Sequence, residues 1–136
     1  MPNLVARADL AFPPEEYAGR LTAASRAMAA EGFDALVATS PENICYLSGF
    51  ESAGYFNPQA LIVSADGRAM LVTRALEIIN AEASCVLERL IGFRDHETLA
   101  DVVAAELAAL GAARGRIGME LRSHWLGVAQ LEALKA

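Results

Sequence analysis

The stretch Ala60-Leu61-Ile62-Val63-Ser64-Ala65-Asp66-Gly67-Arg68-Ala69-Met70-Leu71-Val72 decides the fold. Two apolar runs flank an Asp-Gly pair, the strongest short-range signal for a β-hairpin. Outward from the hairpin, the pattern changes to alternating helices and strands. Upstream, Pro13-Pro14-Glu15-Glu16 opens a helix, with proline in its first turn and early acids set against the dipole. Tyr17, Leu21, Ala24 and Met28 recur at helical spacing, and Gly32 supplies the stop. Ala35-Leu36-Val37-Ala38 then reads as a strand buried on both faces. Ser40-Pro41-Glu42 looks like a cap, a first-turn proline and a first-turn acid, carrying a short helical turn over 43–46. Downstream, Leu76 and Ile79 mark a short helix within 74–83, residues 86–91 form a strand candidate, and 98–110 is a helix stopped by Gly111. Ile117-Gly118-Met119 reads as a short strand, and Leu126, Leu131 and Leu134 sit on a last helix. A parallel run broken by one hairpin implies an α/β fold, a mixed sheet with helices on its faces.

The chain has 136 residues, 54% of them hydrophobic, which suits a single domain and excludes intrinsic disorder. Residues 1–12 show no period and read as an N-terminal arm, leaving 13–136 as the domain. No apolar run exceeds four residues, far below the ~20 needed to cross a bilayer. The start, Met1-Pro2-Asn3-Leu4, lacks the regions of a secretory signal, so the expected location is cytoplasmic, with no membrane partner. A net charge of −6, one lysine (Lys135) and scattered arginines argue against nucleic acid as a partner. Cys45 and Cys85 belong to no C-x-x-C pair and read as buried free thiols.

Several catalytic machineries are excluded. Gly111, Gly115 and Gly118 follow a helix end instead of opening a helix, so they form no phosphate loop. Neither a G-x-S-x-G elbow nor an H-E-x-x-H helix occurs. The middle strands end in Ser64 and Thr73 without a phosphorylatable aspartate, which counts against a receiver domain. His96, between Asp95 and Glu97, and His124 read as solvated helix starts in preference to general bases. Glu120 stands just beyond a short strand, where α/β sites place carboxylates. As a lone acid it reads first as a helix-start or ion-pair residue. The segment from Tyr46 to Pro58 is different: Phe50, Tyr55 and Phe56 stand with Glu51 in a glycine-rich loop. The core accommodates Tyr46 and Leu47 easily, but three further rings together suit a surface that meets a partner.

Asn43-Ile44-Cys45-Tyr46-Leu47-Ser48-Gly49-Phe50 resembles the N-x-x-Y-L-S/T-G-F/Y segment of the creatinase/prolidase N-terminal domain. Met28-Ala29-Ala30-Glu31-Gly32 followed by Asp34-Ala35-Leu36-Val37 is similar to the opening of that family. The Asp66-Gly67 hairpin falls where the family has its next strands, and Gly115-Arg116-Ile117-Gly118-Met119-Glu120 resembles its closing G-R-I-G-x-E. The resemblance implies a ribonuclease H-like fold, a mixed, mostly parallel sheet of about six strands with helices on both faces. It also implies a division of labour. In such proteins this domain precedes a larger one that binds two divalent metals (Mn, Co or Zn, or none where the parent is creatinase-like) and hydrolyses Xaa-Pro peptides, creatine or related amides.

On that resemblance this chain is expected to hold no catalytic residue, no metal and no cofactor of its own. Its expected partners are its own C-terminal catalytic domain and a second subunit in a homodimer. Phe50, Glu51, Tyr55, Phe56, Asn57 and Arg74 are the candidates for the loop that shapes the partner's substrate pocket. Asn43, Tyr46 and Gly49 are expected to brace it, Asn43 through nearby backbone groups. Arg74 is open to two readings, a contact to a substrate carboxylate or a surface ion pair. Creatinases resemble F-G-R-P in this loop, whereas here Tyr55-Phe56-Asn57-Pro58 carries no arginine, which leans away from creatine. The alternatives are a free-standing α/β small-ligand-binding module, with the aromatic loop as its lid, and a complete small enzyme using His96 or Glu120.

Overall fold

Pro13 stands before the first helix in extended conformation, and Pro14 begins α1 (Pro14–Ala30), where a missing amide proton costs nothing. The computed structural model describes residues 3–52 and 56–136. Strand β1 (Ala35–Ala38) follows, then α2 (Pro41–Ser48), β2 (Ala60–Ser64) and β3 (Ala69–Arg74). A 3-10 turn (Ala75–Glu77) leads into α3 (Ile78–Ser84), followed by β4 (Leu90–Phe93), α4 (Leu99–Ala109), β5 (Ile117–Met119) and α5 (Val128–Lys135). The Asp-Gly hairpin forms as read, with Gly67 at φ +91° and the Ser64 carbonyl accepting from the Gly67 amide at 2.9 Å.

The five strands lie in the order β4-β3-β2-β1-β5. Strand β2 pairs antiparallel with both β1 and β3, while β1–β5 and β3–β4 are parallel. Four strands therefore share one direction and β2 alone is reversed, a mixed and mostly parallel sheet. Among the described residues it has five strands where about six were expected. Residues 86–91 split: only Leu90 and Ile91 join β4, which runs on to Phe93. Val86 and Leu87 turn instead to the N-terminal arm, where the Val5 amide donates to Val86 O at 2.7 Å and Leu4 bridges Leu87. Arg7 adds a bond from Nε to Cys85 O at 3.2 Å. The arm thus lies along 83–88, in a pairing too short to make a strand.

Every residue of β2 is buried, and its side chains alternate between two cores. Leu61 and Val63 join Tyr17, Leu21 and Met28 of α1, Ile44 and Leu47 of α2, and Ala81 of α3. Ala60 and Ile62 face the other way, with Met70, Val72 and Phe93, onto Leu99 and Val103 of α4. Each fully buried aliphatic side chain contributes about 1.5–3 kcal/mol, so this double burial dominates the stability. Leu76 and Ile79, the markers of the short helix, are 72% and 73% exposed. The chain instead packs this helix through Ile78, whose Cγ1 stands 2.9 Å from where a side chain on Gly92 would begin.

Gly49 ends α2 at φ +78°, with the Cys45 carbonyl accepting its amide at 2.8 Å. A Cβ there would meet Ser84 O at 2.8 Å and Leu10 Cδ2 at 2.9 Å, whereas Gly111, at φ +77°, has open space. Gly111→Ala is therefore expected to cost about 1–2 kcal/mol of backbone strain. Gly49→Ala should cost that plus an overpacking penalty of about 1–3 kcal/mol, measured by urea unfolding at neutral pH.

Candidate functional site

The reversed strand sets where polar groups gather. The carboxyl ends of β1, β3, β4 and β5 and the entry to β2 lie at one end of the sheet, the end at which open α/β sheets place their sites. There stand Thr39 and Ser40 after β1, Glu120 after β5, Arg74 closing β3, Asp95 after β4, and the loop that enters β2.

The Glu120 carboxylate is the most heavily bonded group at this end. Its Oε2 accepts from the backbone amides of Thr39 at 2.5 Å and Ser40 at 2.7 Å. Its Oε1 accepts from Ser40 Oγ at 2.8 Å and from the Asn43 side-chain amide. Parallel pairing of Val37 with Met119 brings these groups together across 81 positions of sequence. A carboxylate at the start of α2 also opposes the helix dipole favourably. Ser40 Oγ in turn accepts the Asn43 amide at 3.4 Å, so the cap read from the sequence is present. Partial burial pushes the Glu120 carboxyl up. The Ser40 amide, the Asn43 side chain, the Ser40 hydroxyl and the Thr39 amide outweigh it, leaving its pKa below the ordinary carboxylate value. Asn43 was expected to brace the loop through nearby backbone; its side chain goes to Glu120 instead, because it sits in the first turn of α2 and faces β5.

The loop residues divide. Phe50, expected at the surface, is 1% exposed, while Tyr46, which the core could have taken, is 55% exposed. The helical spacing of Ile44, Leu47 and Ser48 defines the buried side of α2 and leaves Tyr46 outside. Gly49, through its left-handed turn, then directs Phe50 inward. Phe56 is 74% exposed, Glu51 is exposed and Asn57 half-buried; Tyr55 lies outside the described residues. Arg74 takes the ion-pair role: Nη2 meets Asp95 Oδ1 at 2.8 Å and Nη1 donates to Asn57 Oδ1 at 3.3 Å. It thereby ties the loop to the end of β3.

Other candidates fall away from this end or carry no machinery. His96 and His124 are exposed. Both thiols are free; burial first and the Glu51 carboxylate second push Cys45 up, and burial pushes Cys85 up to about 11. Neither is an activated thiolate. Among the described residues, no group of three or more His, Cys, Asp or Glu side chains is placed to share a metal ion. A groove of about 310 Å³ lies at the opposite end of the sheet, between the hairpin and α4, where Arg89 and Glu106 pair at 2.6 Å. No helix among the described residues is long and apolar enough to cross a membrane.

Among the described residues, a five-stranded mixed sheet, helices on both faces and this capped α2 define a small α/β domain. Residues 20–136 match the Creatinase/Prolidase N-terminal domain family, and the chain belongs to it. Ectoine hydrolase of Halomonas elongata is 26% identical over 137 residues, covering 92% of this chain and 34% of that protein. A proline dipeptidase from Streptococcus pneumoniae superimposes with a TM-score of 0.73 at 26% identity, over 85% of this chain and 82% of that one. Dipeptidase PepE from Mycobacterium ulcerans gives 0.74 at 25% identity, over 96% of this chain and 34% of that one. The chain thus spans about a third of the length of ectoine hydrolase and of PepE.

Phe50→Ala should cost about 3–5 kcal/mol and Phe56→Ala within about 0.5 kcal/mol, read by urea unfolding. Glu120→Ala should cost about 1–2 kcal/mol at neutral pH, since it leaves several donors unpaired at a half-exposed site. Because the folded-state pKa is depressed, this contribution is complete above the ordinary carboxylate range and lost as pH falls through the lowered value. The gap between wild type and variant should accordingly narrow as pH falls below the ordinary carboxylate range, measured by unfolding across a pH series.

Proposed function

We propose that this chain is the non-catalytic N-terminal domain of a metal-dependent hydrolase, holding subunits together and shaping the substrate pocket of its partner. The observation that carries this reading is the match over 96% of this chain to only 34% of a dipeptidase. A domain occupying a third of a hydrolase, with no described cluster of metal-ligating side chains, serves the reaction by shape and docking. In the parent chain the two divalent metals (Mn, Co or Zn) belong to a following catalytic domain, or are absent if the parent acts as creatinases do. The substrate class is an Xaa-Pro peptide or another amide. Creatine is disfavoured because Tyr55-Phe56-Asn57-Pro58 supplies no arginine.

Docking needs exposed apolar groups held rigidly. Phe56 stands beside Asn57, which is tied to Arg74, and exposed Leu76 lies two residues after Arg74. These side chains offer a contact surface at the carboxyl end of the sheet, where Arg74 and Asp95 supply a polar rim. The protein works in the cytoplasm as part of a homodimer in this reading.

The purified chain, supplied with manganese, cobalt or zinc, is expected to release nothing from Xaa-Pro dipeptides or ectoine, and to sediment as a monomer or weak dimer at micromolar concentration. Turnover by the chain alone sinks the proposal, and so does a natural reading frame that ends at Ala136.

A further inference from the structure

Helix α2 has eight residues, below the ~12–15 at which a helix holds itself in water, so its position depends on what grips it. Both ends are gripped from far away in sequence. At the start, the Glu120 carboxylate gathers the Thr39 and Ser40 amides, the Ser40 hydroxyl and the Asn43 side chain. At the far end, Arg20 Nη1 of α1 donates to Tyr46 O at 2.8 Å. The same guanidinium lies 4.4 Å from the Tyr46 ring centroid and 4.7 Å from that of Phe12, and its Nε pairs with Glu16 at 3.0 Å. An acid caps the positive end and a base the negative end, each with the sign that the helix dipole favours.

The loop begins where this helix stops. Gly49 is wedged against Ser84 O and Leu10, the Phe50 amide donates to Ser48 Oγ at 3.3 Å, and the Phe50 ring fills the core. Any slide or rotation of α2 must therefore move the first residues of the loop. We propose that Glu120 is a positioning residue for the start of the loop, acting through α2 upon 49–52, whereas the Asn57–Arg74 bond ties 57 to the end of β3. The consequence for a substrate pocket rests on the function proposed above, whereas the clamp itself involves no substrate.

Hydrogen exchange on the intact chain tests it. Glu120→Gln keeps the side-chain length and one acceptor oxygen but sets an amide group against the backbone donors. It is expected to raise exchange about tenfold at 40–47 and at 49–52, with 56–59, β2, β3 and α4 at wild-type rates. A uniform rise throughout the molecule would make Glu120 a general stabiliser and overturn the proposal, as would a rise confined to 39–43. Asn43→Ala removes a single bond to the carboxylate and covers the case in which Glu120→Gln does not fold. It should raise the same loop amides severalfold, and an unchanged loop again overturns the clamp. Since exchange is read without substrate or metal, its failure leaves the pocket reading standing, and turnover by the lone chain leaves the clamp standing.

Discussion

A strand buried along its whole length, reversed in direction and held between two neighbours that run the other way, governs this molecule. With every residue of β2 shielded, neither face of the sheet tolerates polar side chains near its centre, and both must be covered by helices. Polar groups are displaced to the strand ends. Because β1, β3, β4 and β5 share a direction, their carboxyl ends meet on one side, and Thr39, Ser40, Arg74, Asp95 and Glu120 assemble there. Among the described residues no buried side-chain nitrogen or oxygen lacks a hydrogen-bond partner.

The side chains at the polar end are engaged in internal bonds. Its most strongly bonded carboxylate is consumed by four donors, and its arginine by Asp95 and Asn57. A general base needs a free lone pair directed at a substrate, and a metal site needs converging ligands. Glu120 offers neither, since its oxygens are already turned toward the start of α2. Apolar Phe56, Leu76 and Ile79, each more than two-thirds exposed, stand outward together with the exposed acids Glu51 and Asp95. In the function proposed above, these exposed apolar groups serve as the docking surface. That agrees with a domain that accounts for about a third of ectoine hydrolase and of a mycobacterial dipeptidase.

Local structure was legible in the sequence wherever it depends on neighbours along the chain. Strand β1, the Asp-Gly hairpin, the Ser40 cap and the stops at Gly32 and Gly111 stand where residue pattern and turn chemistry put them. Opposite environments for Tyr46 and Phe50, only four residues apart, were not legible. Both are aromatic, and the difference lies in the buried side of α2 and the left-handed turn at Gly49. Residues 86 and 87 were drawn away from the sheet by the N-terminal arm, a pairing partner some 80 positions distant whose own sequence has no strand period.

The amino-acid sequence by itself determined the fold class and the element order, because helix caps, apolar period and turn residues act over a few positions, and its motifs carried the resemblance to the family. Only the tertiary structure decided what Glu120 and Asn43 do and which loop ring faces outward. Glu120 is an ordinary lone acid until parallel pairing of β5 with β1 sets it against the first turn of α2. Register between strands more than 70 residues apart is a property of the assembled sheet, which no local pattern in the chain encodes.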